Sequence, residues 1–212
     1  MKLSPIGFLA DFRYRKISQL ATVEDLLKEI FRKTIHFCSS LVPLLAHWNH
    51  FWTIAALSFV ICFYIISEFW RLRGKSIPVI SRITSYASRR RDEGHFVFGP
   101  VTMGFGVLLT LLMFPPEIAR IGIFALAFGD GIASLAGKLY GKIKIPYTNG
   151  KTVAGSLACF IAVYLSTLFV TRNFMTAVAV AIVAVLLEAM PIKDFDNLII
   201  PIFVSGFVCL LP

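Results

Sequence analysis

The sequence predicts an all-α fold, a polytopic transmembrane helix bundle of about seven spans with the N-terminus in the cytoplasm. Three observations predict it. The 212 residues are 57% hydrophobic and 16% charged, with a mean hydropathy of +0.77, where soluble domains carry about a quarter charged residues. Several mostly apolar runs reach roughly 18 residues, enough for a helix to cross a hydrocarbon core of about 30 Å. The 21 Lys and Arg residues are unevenly placed: with seven spans and the N-terminus inside, all except Arg120 and Arg172 fall in inner segments. Backbone groups facing lipid must be satisfied within their own segment, so the Val- and Ile-rich runs are read as helices, not strands. The same asymmetry accounts for the net charge of +9 and makes nucleic acid unnecessary as a partner.

Residues 1–33 are expected to form an amphipathic cytoplasmic arm. They have no clean apolar core and no small-residue cleavage site, so a secretory signal is not expected. Residues 34–212 are expected to form a single transmembrane catalytic domain, with spans at about 34–47, 51–69, 97–114, 118–136, 154–171, 174–190 and 198–211. The first span is short and carries His36 and Pro43. Loops at 70–96 and 137–153 are the longest polar interruptions, and both fall on the inner side. Cys38, Cys62, Cys159 and Cys209 stand singly in apolar runs, the pattern of small packing residues rather than of a disulfide or zinc framework.

Four polar clusters share that inner side. Arg32, Lys33 and His36 stand at the start of the first span; a basic flank with a snorkelling arginine is the ordinary explanation, but the histidine one turn on is unusual for a flank. Gly129-Asp130-Gly131, followed by Gly137, Lys138, Gly141 and Lys142, puts a carboxylate inside an apolar run. That is expensive unless the acid faces a cavity, a cation or a partner. Close helix packing would explain the small residues beside it, though not the acid. Asn149-Gly150-Lys151-Thr152 through Gly155-Ser156 offers glycines, a lysine and a fresh helix N-terminus, which suit a phosphate. It is not a Walker A loop, because position 145 is Ile. Glu188, Asp194, Asp196 and Asn197 form the fourth cluster, read either as a capped, solvated turn or as carboxylates able to hold Mg²⁺ together with substrate phosphates.

In this order and at these spacings, RKxxH, GDxxAxxxGxxxGK, GKTxxGS and DNxxIP resemble the polyprenol kinase family, which includes dolichol kinase, phytol kinase and CTP-dependent diacylglycerol kinases. The resemblance covers about 29–212. Integral-membrane phosphatidate cytidylyltransferases share a more distant GD…G…GK core. The resemblance implies transfer of the γ-phosphate of CTP to the hydroxyl of a membrane lipid alcohol, with Mg²⁺, at the cytoplasmic face. It implies Asp130, Lys151, Asp196 and His36 as catalytic residues, with His36 the candidate base. Asp130, Glu188 and Asp196 would hold the metal. Arg32, Lys33, Gly129, Lys138, Gly141, Lys142, Thr152, Gly155 and Asn197 would bind the nucleotide. Ala154 stands where many family members carry an acid, so no role of that acid carries over.

The expected partners are thus a membrane lipid alcohol (diacylglycerol, phytol or a short polyprenol) and a nucleotide; assembly into a homo-oligomer is left open. A CDP-diacylglycerol synthase is the alternative enzyme, distinguished by release of pyrophosphate rather than CDP. A non-catalytic transporter is the alternative of another class, and the absence of a midplane relay of charges or an evident inverted repeat counts against it.

Overall fold

A computed structural model describes residues 23–75, 77–88, 92, 94–192 and 195–211. Of the residues singled out above, Asp194 lies outside the described residues, as do positions 1–22 of the expected arm.

Helix α1 (Val23–Cys38) leads through a 3₁₀ turn (Ser39–Leu41) into α2 (Val42–Trp48). Pro43 has no N–H to give to the carbonyl four residues back, and the regular ladder breaks there. Helix α1 crosses the expected 33/34 boundary without a break, so residues 23–33 continue into the bundle as helix. Helix α3 (His50–Leu72) begins at Asn49, whose side chain accepts the Trp52 N–H at 3.1 Å.

The 70–96 segment contains a helix of its own, α4 (Pro78–Ala87), opened by a proline at its first position. Its Thr84 is buried, while Val79, Ile83 and Tyr86 face outward along one side. That is the pattern of a helix lying in the headgroup region.

Next come α5 (Gly99–Met113), α6 (Pro116–Phe124), a π-helical segment (Ala125–Asp130) and α7 (Gly131–Tyr140). The stretch Pro116–Tyr140 is one apolar helical rod of 25 residues. Helices α8 (Val153–Thr171), α9 (Phe174–Ala189) and α10 (Asp196–Cys209) complete the bundle. Six of the seven expected spans coincide with a helix or with the rod, whereas the first, 34–47, is divided among the end of α1, the 3₁₀ turn and α2. Three helices (α3, the rod and α8) are long and apolar enough to cross a membrane by length and composition, and α5, α9 and α10 are shorter apolar helices. Among the described residues there is no strand, only an isolated antiparallel bridge between Lys144 and Thr152. This is the all-α bundle of an integral membrane protein.

The rod is the central element: Ala119, Ile123, Leu126 and Ala127 are fully buried. Helix α3 is peripheral and turns Phe59, Val60 and Phe63 outward, where lipid lies. Small residues let the rod be surrounded closely. A Cβ on Gly129 would come within 2.7 Å of Val163 on α8, and one on Gly131 within 3.0 Å of the Phe37 ring on α1. Asp130 is therefore carried between α1 and α8 by two contacts that a larger side chain would push apart.

Pro201, inside α10, cannot donate to the Asn197 carbonyl. Gly106 of α5 packs directly against that carbonyl. The contact fixes the first turn of α10, and with it Asp196.

Candidate active site

The helix ends that carry the four polar clusters meet at one end of the bundle, around a cavity of about 520 Å³. Helix α1 supplies Glu29, Arg32 and Lys33; the rod supplies Asp130, Ser134 and Lys138; the following loop supplies Lys151 and Thr152; α9 and α10 supply Glu188 and Asp196. Arg120 and Arg172 lie toward the opposite end, in the first turns of α6 and just after α8.

The cavity is lined by alternating charges already paired with one another. Lys33 Nζ donates to Asp130 Oδ2 at 2.5 Å, and His36 Nδ1 lies 3.3 Å from the same oxygen. Lys151 Nζ donates to Glu188 Oε1 at 2.6 Å. Lys138 Nζ and Ser134 Oγ donate to the two oxygens of Glu29, each at 2.6 Å, and Arg32 pairs with Glu29 as well. The carboxylates of these pairs are almost fully buried, so removing a cation leaves an uncompensated buried charge.

Two groups outside the spans have displaced proton affinities. Burial favours the neutral form of Glu29, but the Lys33 and Arg32 charges, with hydrogen bonds from Lys138 and Ser134, hold its carboxyl well below the usual carboxylate range. Burial likewise favours neutral Lys151, yet the Glu188 and Asp130 carboxylates hold its ammonium above the ordinary lysine value. Both groups stay charged in the physiological range.

The loop carrying Lys151 is stapled to its own base. Ile145 N–H donates to the Lys151 carbonyl at 2.8 Å, and Val153 N–H to the Ile143 carbonyl at 3.0 Å. Asn149 and Gly150 take left-handed backbone angles at its tip, φ 52° and 89°, conformations that asparagine and glycine adopt at least cost. Thr152 caps α8 by accepting the Gly155 N–H at 3.2 Å. Gly155 is held close to α7, since a Cβ there would come within 2.8 Å of the Ala133 carbonyl.

Most residues proposed from the sequence meet here: Arg32, Lys33, Asp130, Lys138, Lys151, Thr152, Gly155, Glu188 and Asp196 all line the cavity. His36 touches Asp130 from the side, and with Asn197 it lines a neighbouring, smaller cavity. Three residues do not take the binding positions expected of them. Gly129 faces α8 and serves packing. Gly141 is pressed against the Gly137 carbonyl and the Thr152 side chain. Lys142 is exposed beyond the helix end and does not line the cavity, because the chain leaves α7 at Tyr140 and turns away.

Glu29 and Ser134 also line the cavity, and neither stands out in the sequence as a site residue. The available signal for Glu29 was its spacing from Arg32, Lys33 and His36, which puts all four on one helical face.

The three carboxylates expected to hold metal line the same cavity, but among the described residues no three His, Cys, Asp or Glu side chains gather as a ready cation site. Glu188 Oε2 is nonetheless buried without a hydrogen-bond partner. The donor set fits an ion held by one or two carboxylates plus ligand oxygens, the usual way Mg²⁺ is bound.

No family model matches the chain, and no solved structure matches it. Curated relatives do. A probable chloroplastic phytol kinase of Glycine max is 27% identical over 209 residues, covering 89% of this chain and 68% of that protein. Phytol kinase 1 of Arabidopsis thaliana is 30% identical over 196 residues, covering 82% of this chain and 64% of that protein. A dolichol kinase of Arabidopsis thaliana is 27% identical over 93% of this chain, which spans 37% of that larger protein. The chain thus spans about two thirds of the length of these phytol kinases. With the cavity residues in the motif order described, the chain is similar over most of its length to phytol kinases and a dolichol kinase.

Proposed function

We propose that the protein transfers the terminal phosphoryl group of a nucleoside triphosphate, CTP by its family resemblance, to the primary hydroxyl of a membrane isoprenoid alcohol, at the cytoplasmic face. The observation that carries this reading is the cavity of alternating Lys and carboxylate pairs at the interfacial end of an apolar bundle. A water-soluble nucleotide and a bilayer-dissolved alcohol can meet only there. The relatives named as phytol and dolichol kinases support an isoprenoid alcohol over diacylglycerol. The abundance of Lys and Arg on this end supports a cytoplasmic orientation.

Phosphoryl transfer asks for positioning and charge neutralisation more than for covalent chemistry. In this reading Lys33, Lys138 and Lys151 exchange part of their carboxylate pairing for the phosphate oxygens. The N-terminus of α8, capped by Thr152, would add the positive end of its helix dipole. Asp130, Asp196 and Glu188 would hold Mg²⁺, which when bound neutralises charge on the transferring group. The alcohol oxygen forms a bond to the γ-phosphorus as the bond to the β-bridging oxygen breaks. The nucleoside diphosphate leaves, and the hydroxyl proton passes to a base, for which His36 is the candidate.

The test is purified protein with γ-labelled CTP and a panel of phytol, farnesol, polyprenol and diacylglycerol. Labelled lipid phosphate with CDP as co-product is expected. Pyrophosphate release would point to the cytidylyltransferase instead, and CTP binding with no labelled lipid would overturn the kinase.

A further inference from the structure

The main cavity is charged on most sides, which suits a nucleotide and repels an alkyl chain. A second cavity of about 70 Å³ adjoins it across α1, and Arg32 lines both. Its polar wall consists of His36, whose Nδ1 lies 3.3 Å from Asp130 Oδ2, together with Thr84, Asp92 and Asn197, the neighbour of Asp196. Its other wall is apolar, with Ile35, Val97, Pro100 and Met103.

The rim is held firmly. Glu68, buried in α3, accepts the Val97 N–H at 2.9 Å and a two-pronged pair from Arg71, whose Nη2 also donates to the His95 carbonyl at 2.7 Å. Arg32 Nη1 donates to the Ala87 carbonyl at 3.3 Å and so ties the end of α4 to α1. Helix α4 in turn shows Val79, Ile83 and Tyr86 outward, placing this rim at headgroup depth.

We propose that this second cavity is the acceptor subsite: it takes the hydroxyl-bearing end of a single-chain primary alcohol, whose chain leaves past Met103 into the bilayer. The inference rests on the lipid-kinase reading above and adds the acceptor's route. Its volume holds roughly five water-sized groups at about 10–15 Å³ each, a hydroxymethyl and the next few carbons but not a nucleotide.

The other apolar groove, about 450 Å³ between Phe124, Phe128, Ile132, Leu165 and Phe169, is larger but faces the wrong way. Phe128 and Ile132 each stand two residues from Asp130, and residues at that spacing lie on nearly opposite faces of a helix. An alcohol seated there is separated from the carboxylate by the rod itself.

Full-length protein is irradiated with farnesol carrying a diazirine near its hydroxyl end, and the labelled peptides are mapped. Labelling at 84–87 or 97–103, suppressed by unmodified farnesol, is expected. Met103→Trp, or Ala87→Phe, both at residues that line this cavity, raises KM for farnesol about tenfold while nucleotide affinity stays within about twofold. Labelling confined to 124–132 or 165–169, or a KM that neither variant moves, overturns the proposal. Should both variants fail to fold, the wild-type labelling pattern decides alone. Labelling needs no turnover, so the two readings fail separately. Specific label in the second cavity with no lipid phosphate formed sinks the kinase, whereas lipid phosphate formed with label elsewhere sinks the acceptor subsite.

Discussion

Asp130 and Glu68 are both carboxylates inside apolar helices, and both are almost completely buried, at 4% and 1% exposure. Their surroundings differ in kind. Glu68 is saturated by its own neighbourhood: Arg71, one turn on in the same helix, donates twice, and the Val97 N–H donates once. Asp130 is met by residues nearly a hundred positions away, Lys33 and His36 of α1, and it borders open space. A buried acid in a membrane helix is therefore not in itself a reactive group. Space for a ligand beside it, lined by cations that can change partners, separates a site from a staple.

Removing each charge should break the molecule in a different way. Asp130→Asn keeps the shape and removes the charge on which Lys33 and His36 converge. It should lower phosphoryl transfer about a thousandfold, equivalent to about 4 kcal/mol, with a normal elution profile and thermal midpoint in detergent. If turnover survives, Asp130 is a second staple and the comparison collapses. Glu68→Gln should do the reverse. Loss of the charged partner for Arg71 should cost on the order of 2–3 kcal/mol of stability, read as a lowered thermal midpoint, while nucleotide affinity in the surviving folded fraction is unchanged. A selective loss of nucleotide binding would mean that Glu68 belongs to the nucleotide site.

The contrast also shows what could be read from residues alone. The spans were legible because apolar length and Lys/Arg placement are properties of the chain by itself, and Asp130 stood out because its cost is local. Glu68 did not stand out, because it sits at the polar end of its span next to Arg71 and resembles a solvated i,i+3 pair. The π-helical segment that carries Asp130 leaves no compositional mark; it lies where Gly129 packs against α8 and Gly131 against Phe37, and such segments recur at functional positions. Glu29 carries no such local signal, because it stands in a polar, basic segment and its partners Ser134 and Lys138 are more than a hundred residues away. A motif lists residue types, and a glycine needed for packing, such as Gly129 or Gly141, is spelled the same way as one needed for a phosphate.

Glu29 provides an intermediate test, since it is paired like Glu68 yet lines the cavity like Asp130. Its carboxyl is held below the ordinary value of 4.5 in the folded protein. A depressed folded value means that its stabilisation is fully present above the ordinary range and is lost as pH falls through and below it. The thermal midpoint of the wild type should therefore fall steeply below about pH 4.5. Glu29→Gln should start lower at neutral pH and show a shallower decline. Parallel curves for the two proteins would show that Lys138, Ser134 and Arg32 do not hold α1 through this carboxylate.

The smallest expected effect separates two lysines of one motif. Lys138 and Lys142 are four residues apart, and a continuous helix would place them on one face, both toward the phosphates. The helix instead ends at Tyr140, so only Lys138 reaches Glu29 and the cavity, while Lys142 stands exposed in the loop. Lys138→Ala should remove a cavity-lining charge and leave Glu29 short of a donor, lowering kcat/KM about tenfold or more. Lys142→Ala removes a solvated charge outside the cavity and should remain within about twofold, with the remaining change suppressed by added salt. Equal losses in the two variants would mean that the loop closes over bound nucleotide and carries Lys142 inward; unequal losses place the boundary of the site at the end of α7.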